Sequence, residues 1–235
     1  MIIKVCGVRD PENFREVCKL DVDWVGLNFC AKSPRYVAQI SSRGGFYPDY
    51  TSFAEERPAI GKPIANQKHY DLKPQRVGVF VDDMPQTIIT RIVNFFLDFV
   101  QLHGDENAVM IQNLRRSVEP DIRRGVKIIK AIPIASADDF ARCQDYEGVV
   151  DYFLFDTKGA LPGGNGEKFD WALLDAYKGD TPFLLSGGIG PDDVEALRQI
   201  THPKFAGVDV NSQFETEPGV KDIEKLKAFI QALKA

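Results

Sequence analysis

Eight short runs rich in β-branched and aromatic residues recur along the chain, at 2–7, 23–29, 76–81, 99–103, 126–132, 152–156, 183–186 and 205–210, and helical patterns follow most of them. Strands that alternate with helices form a parallel sheet. Eight such units in 235 residues close into a (β/α)8 barrel, an α/β fold in which a single domain of this size buries a large core. A doubly wound sheet is the alternative. It would bring roughly six or seven strands and a G-x-G-x-x-G turn after an early strand, a turn this chain lacks.

One stretch breaks the alternation. Residues 39–73 hold Gly44, Gly45, Pro48, Pro58, Gly61 and Pro63 without periodicity. Structureless loops of this length are rare inside compact domains. The stretch reads as an irregular insertion within one domain spanning 1–235, with a short helix near 50–56. Elsewhere the helix signals are local. Asp10, Pro11 and Glu12 give an N-cap, a first-turn proline and a first-turn acid. Asp105 reads as the cap of a helix to 117, and Ser136 with Asp139 as a capping box. Further helices are expected at 84–96, 170–177, 191–200 and 220–233.

Net charge is −5 at pH 7, which argues against nucleic-acid or anionic-membrane binding and requires a local positive site for any anionic ligand. The four cysteines have no C-x-x-C spacing, so neither a zinc site nor a thioredoxin-like motif is indicated. With no signal peptide before the first strand and no apolar run of ~18 residues, the expected setting is a reducing cytoplasm with free thiols.

In such a barrel the chemistry sits at the C-terminal ends of the strands. Those ends carry Cys6, Asn28, Gln101, His103, Lys130, Asp156, Ser186, Asp209 and Asn211. Side-chain alternation puts Lys4 beneath Cys6 and Gln101 beneath His103, while Val5, Leu102, Phe155 and Val208 point outward. Cys6 and Asp156 are the acid/base candidates, on strands one and six taken to face each other across the barrel. A cysteine base needs a cation to hold its thiolate, and Lys4 is the candidate. The competing uses are a small buried hydrophobe for Cys6, a capping carboxylate for Asp156 and a hydrogen-bonded structural role for His103. Lys4, His103 and Asp209 are expected on the substrate side of the pocket. Gly187 and Gly188 after strand seven, with Asn211 and Ser212 after strand eight, form two anion cradles where this fold usually binds phosphate. Gly163, Gly164, Asn165 and Gly166 read as a mobile loop over the pocket. Arg35 reads as a carboxylate clamp through its bidentate fork, with a solvated loop arginine as the alternative.

These residues together resemble the phosphoribosylanthranilate isomerase family of tryptophan biosynthesis. The matching motifs are KVCG (4–7), SPRYV (33–37), RVGVFV (76–81), QLHG (101–104), FDT with GGNG and FDW (155–171), LSGGI (185–189) and GVDVNS with Glu215 (207–215). They occur in family order over nearly the whole chain. The resemblance implies an Amadori rearrangement of a phosphorylated small molecule. Asp156 would be the general acid that opens the ribose ring, and Cys6 the general base that takes the C2′ proton. Arg35 would meet the anthranilate part and the glycine turns the phosphate. It implies no cofactor or metal, and a monomer or homodimer. The chain departs from the family pattern at 39–73, at Asn165 and at Gln213-Phe214. The competing readings are another phosphosugar isomerase, of the histidine-pathway type, and a non-catalytic barrel that binds a phosphorylated ligand.

Overall fold

The computed structural model describes residues 1–38, 74–157 and 168–235. The expected insertion at 39–73, its short helix and the expected loop at 163–166 lie outside the described residues. Eight parallel strands close into a barrel in chain order: β1 Ile2–Val5, β2 Trp24–Asn28, β3 Gln75–Phe80, β4 Phe99–Leu102, β5 Lys127–Ile134, β6 Tyr152–Thr157, β7 Phe183–Leu185 and β8 Phe205–Val210. The ring closes where β1 pairs with both β2 and β8, and the register sets Lys4 against Trp24 on one side and Asp209 on the other. The α-helices among the described residues are α1 Pro11–Cys18, α2 Pro85–Phe95, α3 Ala108–Val118, α4 Val194–Arg198 and α5 Ile223–Lys234. None of the described helices is long and apolar enough to cross a membrane.

The alternation of side chains divides the core into two shells. Val5, Leu102, Phe155 and Val208 point outward as expected and join the shell between strands and helices. Inside the ring, Trp24, Val77, Phe99, Ile129, Leu154 and Leu184 form an apolar floor, with Trp24 and Phe99 at 4.2 Å between ring centroids. Burial of each such side chain stabilises the fold by about 1.5–3 kcal/mol. Lys4, Gln101 and Asp209 are buried nearer the strands' C-terminal ends. The floor closes the N-terminal end, so polar groups gather at the other mouth.

Local details differ from the sequence pattern where tertiary bonds prevail. Asp10 does cap α1, its carboxylate accepting from the Asn13 amide at 2.8 Å. Asp105 does not cap α3. Its amide is held by Asp82 Oδ1 at 2.6 Å, and Asn107 caps instead, accepting from the Met110 amide at 2.9 Å. The Ser136–Asp139 capping box is present but opens a 3-10 helix, Ala137–Asp145. The 170–177 helix is likewise a 3-10 segment, Trp171–Ala176, and 191–200 splits into a 3-10 turn Pro191–Asp193 followed by α4. The last helix starts three residues later than expected. Glu217-Pro218-Gly219 turns the chain between β9 Glu215–Glu217 and β10 Val220–Lys221, with Gly219 at φ 93°, and Asp222 then caps α5.

The strand order also corrects the expected geometry of the acid/base pair. In a closed ring of eight, β5 lies opposite β1, and β6 is reached from β1 through β8 and β7. Cys6 and Asp156 therefore stand one strand short of diametrically opposite and face each other obliquely across the mouth.

Candidate active site

The mouth is an open basin that brings together Cys6, Arg35, His103, Asp156, Asp209 and the two glycine and serine turns of the sequence reading. Lys4 lies beneath it. Lys4 Nζ donates to Asp209 Oδ2 at 2.8 Å, and both side chains are buried. Burial works against the ammonium, but Asp209 and Cys6 beside it outweigh burial and hold Lys4 above its ordinary value. At the other end of the pair, burial pushes the Asp209 carboxyl up against the pull of Lys4. The two ends point different ways, and the 2.8 Å contact decides for an ion pair. Asp209 Oδ1 is buried with no hydrogen-bond partner, and Asp209 is among the residues that line the basin.

Cys6 is 6 % exposed. Burial pushes its thiol up, Lys4 pulls it down, Asp209 pushes it up again and Lys221 pulls it down, with a net upward result. Lys4 thus supports the thiolate as the sequence suggested, but desolvation is the larger effect.

Asp156 is 4 % exposed. Its Oδ1 accepts from the Thr157 amide at 3.0 Å, and its Oδ2 lies 3.3 Å from His103 Nε2. His103 thus holds the carboxyl that the sequence singled out. On its other side His103 Nδ1 stands 3.5 Å from Gln101 Nε2. The turn after β7 packs directly on this group. Gly187 and Gly188 have φ of 88° and 63°, a backbone that side chains resist. A Cβ on Gly187 would come within 2.8 Å of the Thr157 amide nitrogen and 2.9 Å of Asp156 Oδ1. The bent turn lines the basin beside Asn211 and Ser212, and backbone amides at such turns suit an anion. Gln213-Phe214 continues from Ser212 as a 3-10 turn, which seats Phe214 in the core at 4.8 Å from Phe229.

Arg35 differs from expectation. Its side-on edge is already forked onto Glu215, with Nε 2.8 Å from Oε1 and Nη2 2.6 Å from Oε2. Glu215 is held below the ordinary carboxylate value because hydrogen bonds and charges from Arg35 and Lys221 outweigh its burial. The fork expected for a ligand is spent internally, and the end-on edge through Nη1 remains for the basin.

Two residues bonded to the basin's lining carried no role in the sequence reading, Glu215 and Lys221. Lys221 Nζ donates to Asn211 Oδ1 and to Glu215 Oε1, each at 2.7 Å. The Pro218-Gly219 turn is the signal that would have found them, because a hairpin there sets Lys221 against Glu215. Lys130 moves the other way. It shares the outward parity of Ile128 and Ile132, bonds Glu106 Oε2 at 3.1 Å and does not line the basin. Among the described residues, no group of three or more His, Cys, Asp or Glu side chains is disposed to hold a metal ion.

The family described as N-(5'phosphoribosyl)anthranilate (PRA) isomerase matches residues 49–232. The N-(5'-phosphoribosyl)anthranilate isomerase of Parabacteroides distasonis is 44% identical over 233 residues, covering 99% of this chain and 93% of that protein. A crystal structure of phosphoribosyl anthranilate isomerase in complex with reduced 1-(o-carboxyphenylamino)-1-deoxyribulose 5-phosphate superposes with a TM-score of 0.69 at 28% identity, covering 100% of this chain and 99% of that one. A structure of monomers generated from the dimeric enzyme of Thermotoga maritima gives a TM-score of 0.69 at 27% identity, with coverage of 100% and 99%.

Proposed function

The chain belongs to the N-(5'-phosphoribosyl)anthranilate isomerase family, and we propose that it catalyses the Amadori rearrangement of N-(5-phosphoribosyl)anthranilate to 1-(2-carboxyphenylamino)-1-deoxyribulose 5-phosphate in tryptophan biosynthesis. Asp156 donates a proton to the ribose ring oxygen, and the ring opens to a Schiff base. Cys6 takes the proton from C2′, and the resulting enolamine tautomerises to the ketone. Proton transfers of this kind each contribute about 10²–10⁴-fold in rate.

The observation that carries this reading is the pairing of a buried thiol and a buried carboxyl on one basin, with Lys4 and Asp209 beneath and the Gly187-Gly188 turn beside them. The amides of that turn, with Asn211 and Ser212, hold the phosphate. The end-on edge of Arg35 meets the anthranilate carboxylate. His103 steadies Asp156, and the open Oδ1 of Asp209 accepts from the substrate. The chain works as one domain with 39–73 as an insertion, as a monomer or a homodimer. A reducing cytoplasm fits its free Cys6, Cys18, Cys30 and Cys143.

The test follows the fluorescence of phosphoribosylanthranilate, formed in situ from anthranilate and phosphoribosyl pyrophosphate, with purified protein and no added metal. The wild-type chain consumes the signal. Cys6→Ser and Asp156→Asn, each folded by circular dichroism, lower kcat by at least ~10²-fold. Near-wild-type turnover in either variant removes that residue from the mechanism, and an inactive, folded wild-type protein removes the reaction.

A further inference from the structure

Lys221 is a buried cation behind the basin, bonded to Asn211 of its lining, and the proposed mechanism does not use it. It is 2 % exposed. Its Nζ donates to Asn211 Oδ1 at 2.7 Å, to Glu215 Oε1 at 2.7 Å and to the Asn211 carbonyl at 3.4 Å. The backbone is clamped as well. Asn13 of α1 donates through Nδ2 to the Lys221 carbonyl at 2.8 Å, and its Oδ1 accepts from the Lys221 amide at 2.7 Å. Backbone and ammonium are thus each held by their own hydrogen bonds.

Both of its acceptors lead to the reacting groups. Glu215 is the anchor of Arg35. Asn211 lies against Gly7, the residue after Cys6, close enough that a Cβ on Gly7 would stand 2.8 Å from Asn211 Oδ1. Burial lowers the Lys221 ammonium and Glu215 beside it restores part of the loss, while Cys6 adds a further favourable interaction.

The charges that face Cys6 come from four directions: Lys4 from β1, Asp209 from β8, Lys221 from β10, and Arg35 from the loop after β2 with its partner Glu215. Three cations stand against two carboxylates. These five groups carry one positive charge in excess, which a Cys6 thiolate would balance, while Asp156 and His103 face the same basin from β6 and β4 at 3.3 Å from each other. Lys4 is balanced by Asp209 and Arg35 by Glu215, so the unbalanced cation is Lys221, whose own carboxylate partner is shared with Arg35.

We infer that Lys221 is a positioning residue whose buried ammonium fixes Asn211 and the Glu215–Arg35 fork and supplies the charge that balances the Cys6 thiolate. The inference rests on the assignment of Cys6 as the base, and its test needs no substrate. The rate of Cys6 alkylation by iodoacetamide is followed against pH, with the Cys6 peptide resolved by mass spectrometry. Lys221→Met and Lys221→Gln remove the charge, and Lys221→Arg keeps it. A neighbouring charge moves a titration by about 1–3 units. The Met and Gln variants therefore titrate Cys6 at least ~1 unit higher than wild type, and the Arg variant returns most of that shift. In turnover the same neutral variants lose kcat in proportion to the lost thiolate, and the loss narrows as pH rises. An unmoved Cys6 titration in a folded neutral variant overturns the inference, as does failure of both neutral variants to fold, which would make Lys221 a structural residue alone. Retained activity in Cys6→Ser would instead remove Cys6 as the base and leave a shifted titration standing.

Discussion

Cys6 keeps its sulfur in the space where Gly26 has no side chain. A Cβ at Gly26 would stand 2.8 Å from Cys6 Sγ and 3.0 Å from Cys6 Cα. The two strands are also tied at this level, because the Gly7 and Val8 amides both donate to the Gly26 carbonyl, at 2.9 and 3.2 Å. The sulfur could swing away from a new methyl group, but the α-carbon of Cys6 belongs to the backbone and cannot yield by rotation.

Gly26→Ala is therefore expected to push β1 and β2 apart at the mouth. Overpacking of this kind costs about 1–3 kcal/mol, read as a lower urea midpoint. The larger effect is on turnover, since a displacement of about 1 Å at a reacting group costs on the order of 10²-fold. A variant with wild-type kcat would show that the thiol does not depend on this gap.

The upward shift of Cys6 sets the direction of the pH profile. A base that must lose a proton to act gains activity as pH rises, and burial moves that gain above the ordinary thiol value of about 8.5. The kcat/KM of the wild-type enzyme should climb close to tenfold per pH unit through the neutral range, without a plateau below about 8.5. A profile flat from pH 6 to 8 would mean that the thiolate is already formed in the free enzyme.

The fold and the placing of Cys6 and Asp156 on one basin were legible because both follow from short-range rules. Strand period and helix caps gave eight units, and parity gave the inward Lys4 and the outward Val5 and Phe155. Lys130 shows where this reading stops. It ends a strand like Cys6 and Asp156, but parity turns it outward onto Glu106, and only the register of β5 fixes that parity. Glu215 entered only as a motif residue and Lys221 not at all, because the Pro218-Gly219 turn marks their hairpin locally, but nothing local shows that it folds back onto Arg35, 180 residues away. Asp105 failed as a cap because α3 begins at Ala108, which puts Asn107 and not Asp105 at the capping position.

His103 offers a test of how Asp156 is held. Its Nε2 lies 3.3 Å from Asp156 Oδ2, while the Thr157 amide holds the other oxygen. Removing the ring as His103→Ala leaves Asp156 anchored on one side only. The 3.3 Å contact orients a group that reacts, and misplacing such a group costs up to about 10²-fold, so kcat should fall roughly 10- to 100-fold with little change in stability. Asparagine, which can reach part of the same position, should recover some of the loss. Equal kcat in wild type and His103→Ala would leave Asp156 held by its backbone contacts alone.

Glu215 allows a prediction whose sign is fixed by linkage. The folded carboxyl is held below its ordinary value, against its own burial, by Arg35 and Lys221. Such a group stabilises the fold fully above its unfolded value of about 4.3, and this contribution is lost as pH falls through the lower folded value. Glu215→Gln keeps the shape and removes the charge, leaving Arg35 and Lys221 without their shared partner. At pH 7 the variant should be less stable by about 3 kcal/mol, the cost of breaking a buried ion pair from one side. As pH falls below about 4 the wild-type carboxyl takes up its own proton, so the gap between the two proteins should narrow. Urea unfolding of both proteins from pH 7 to 3 measures that gap directly. A constant difference across the range would mean that the carboxylate charge contributes nothing, and that Glu215 holds Arg35 by shape alone.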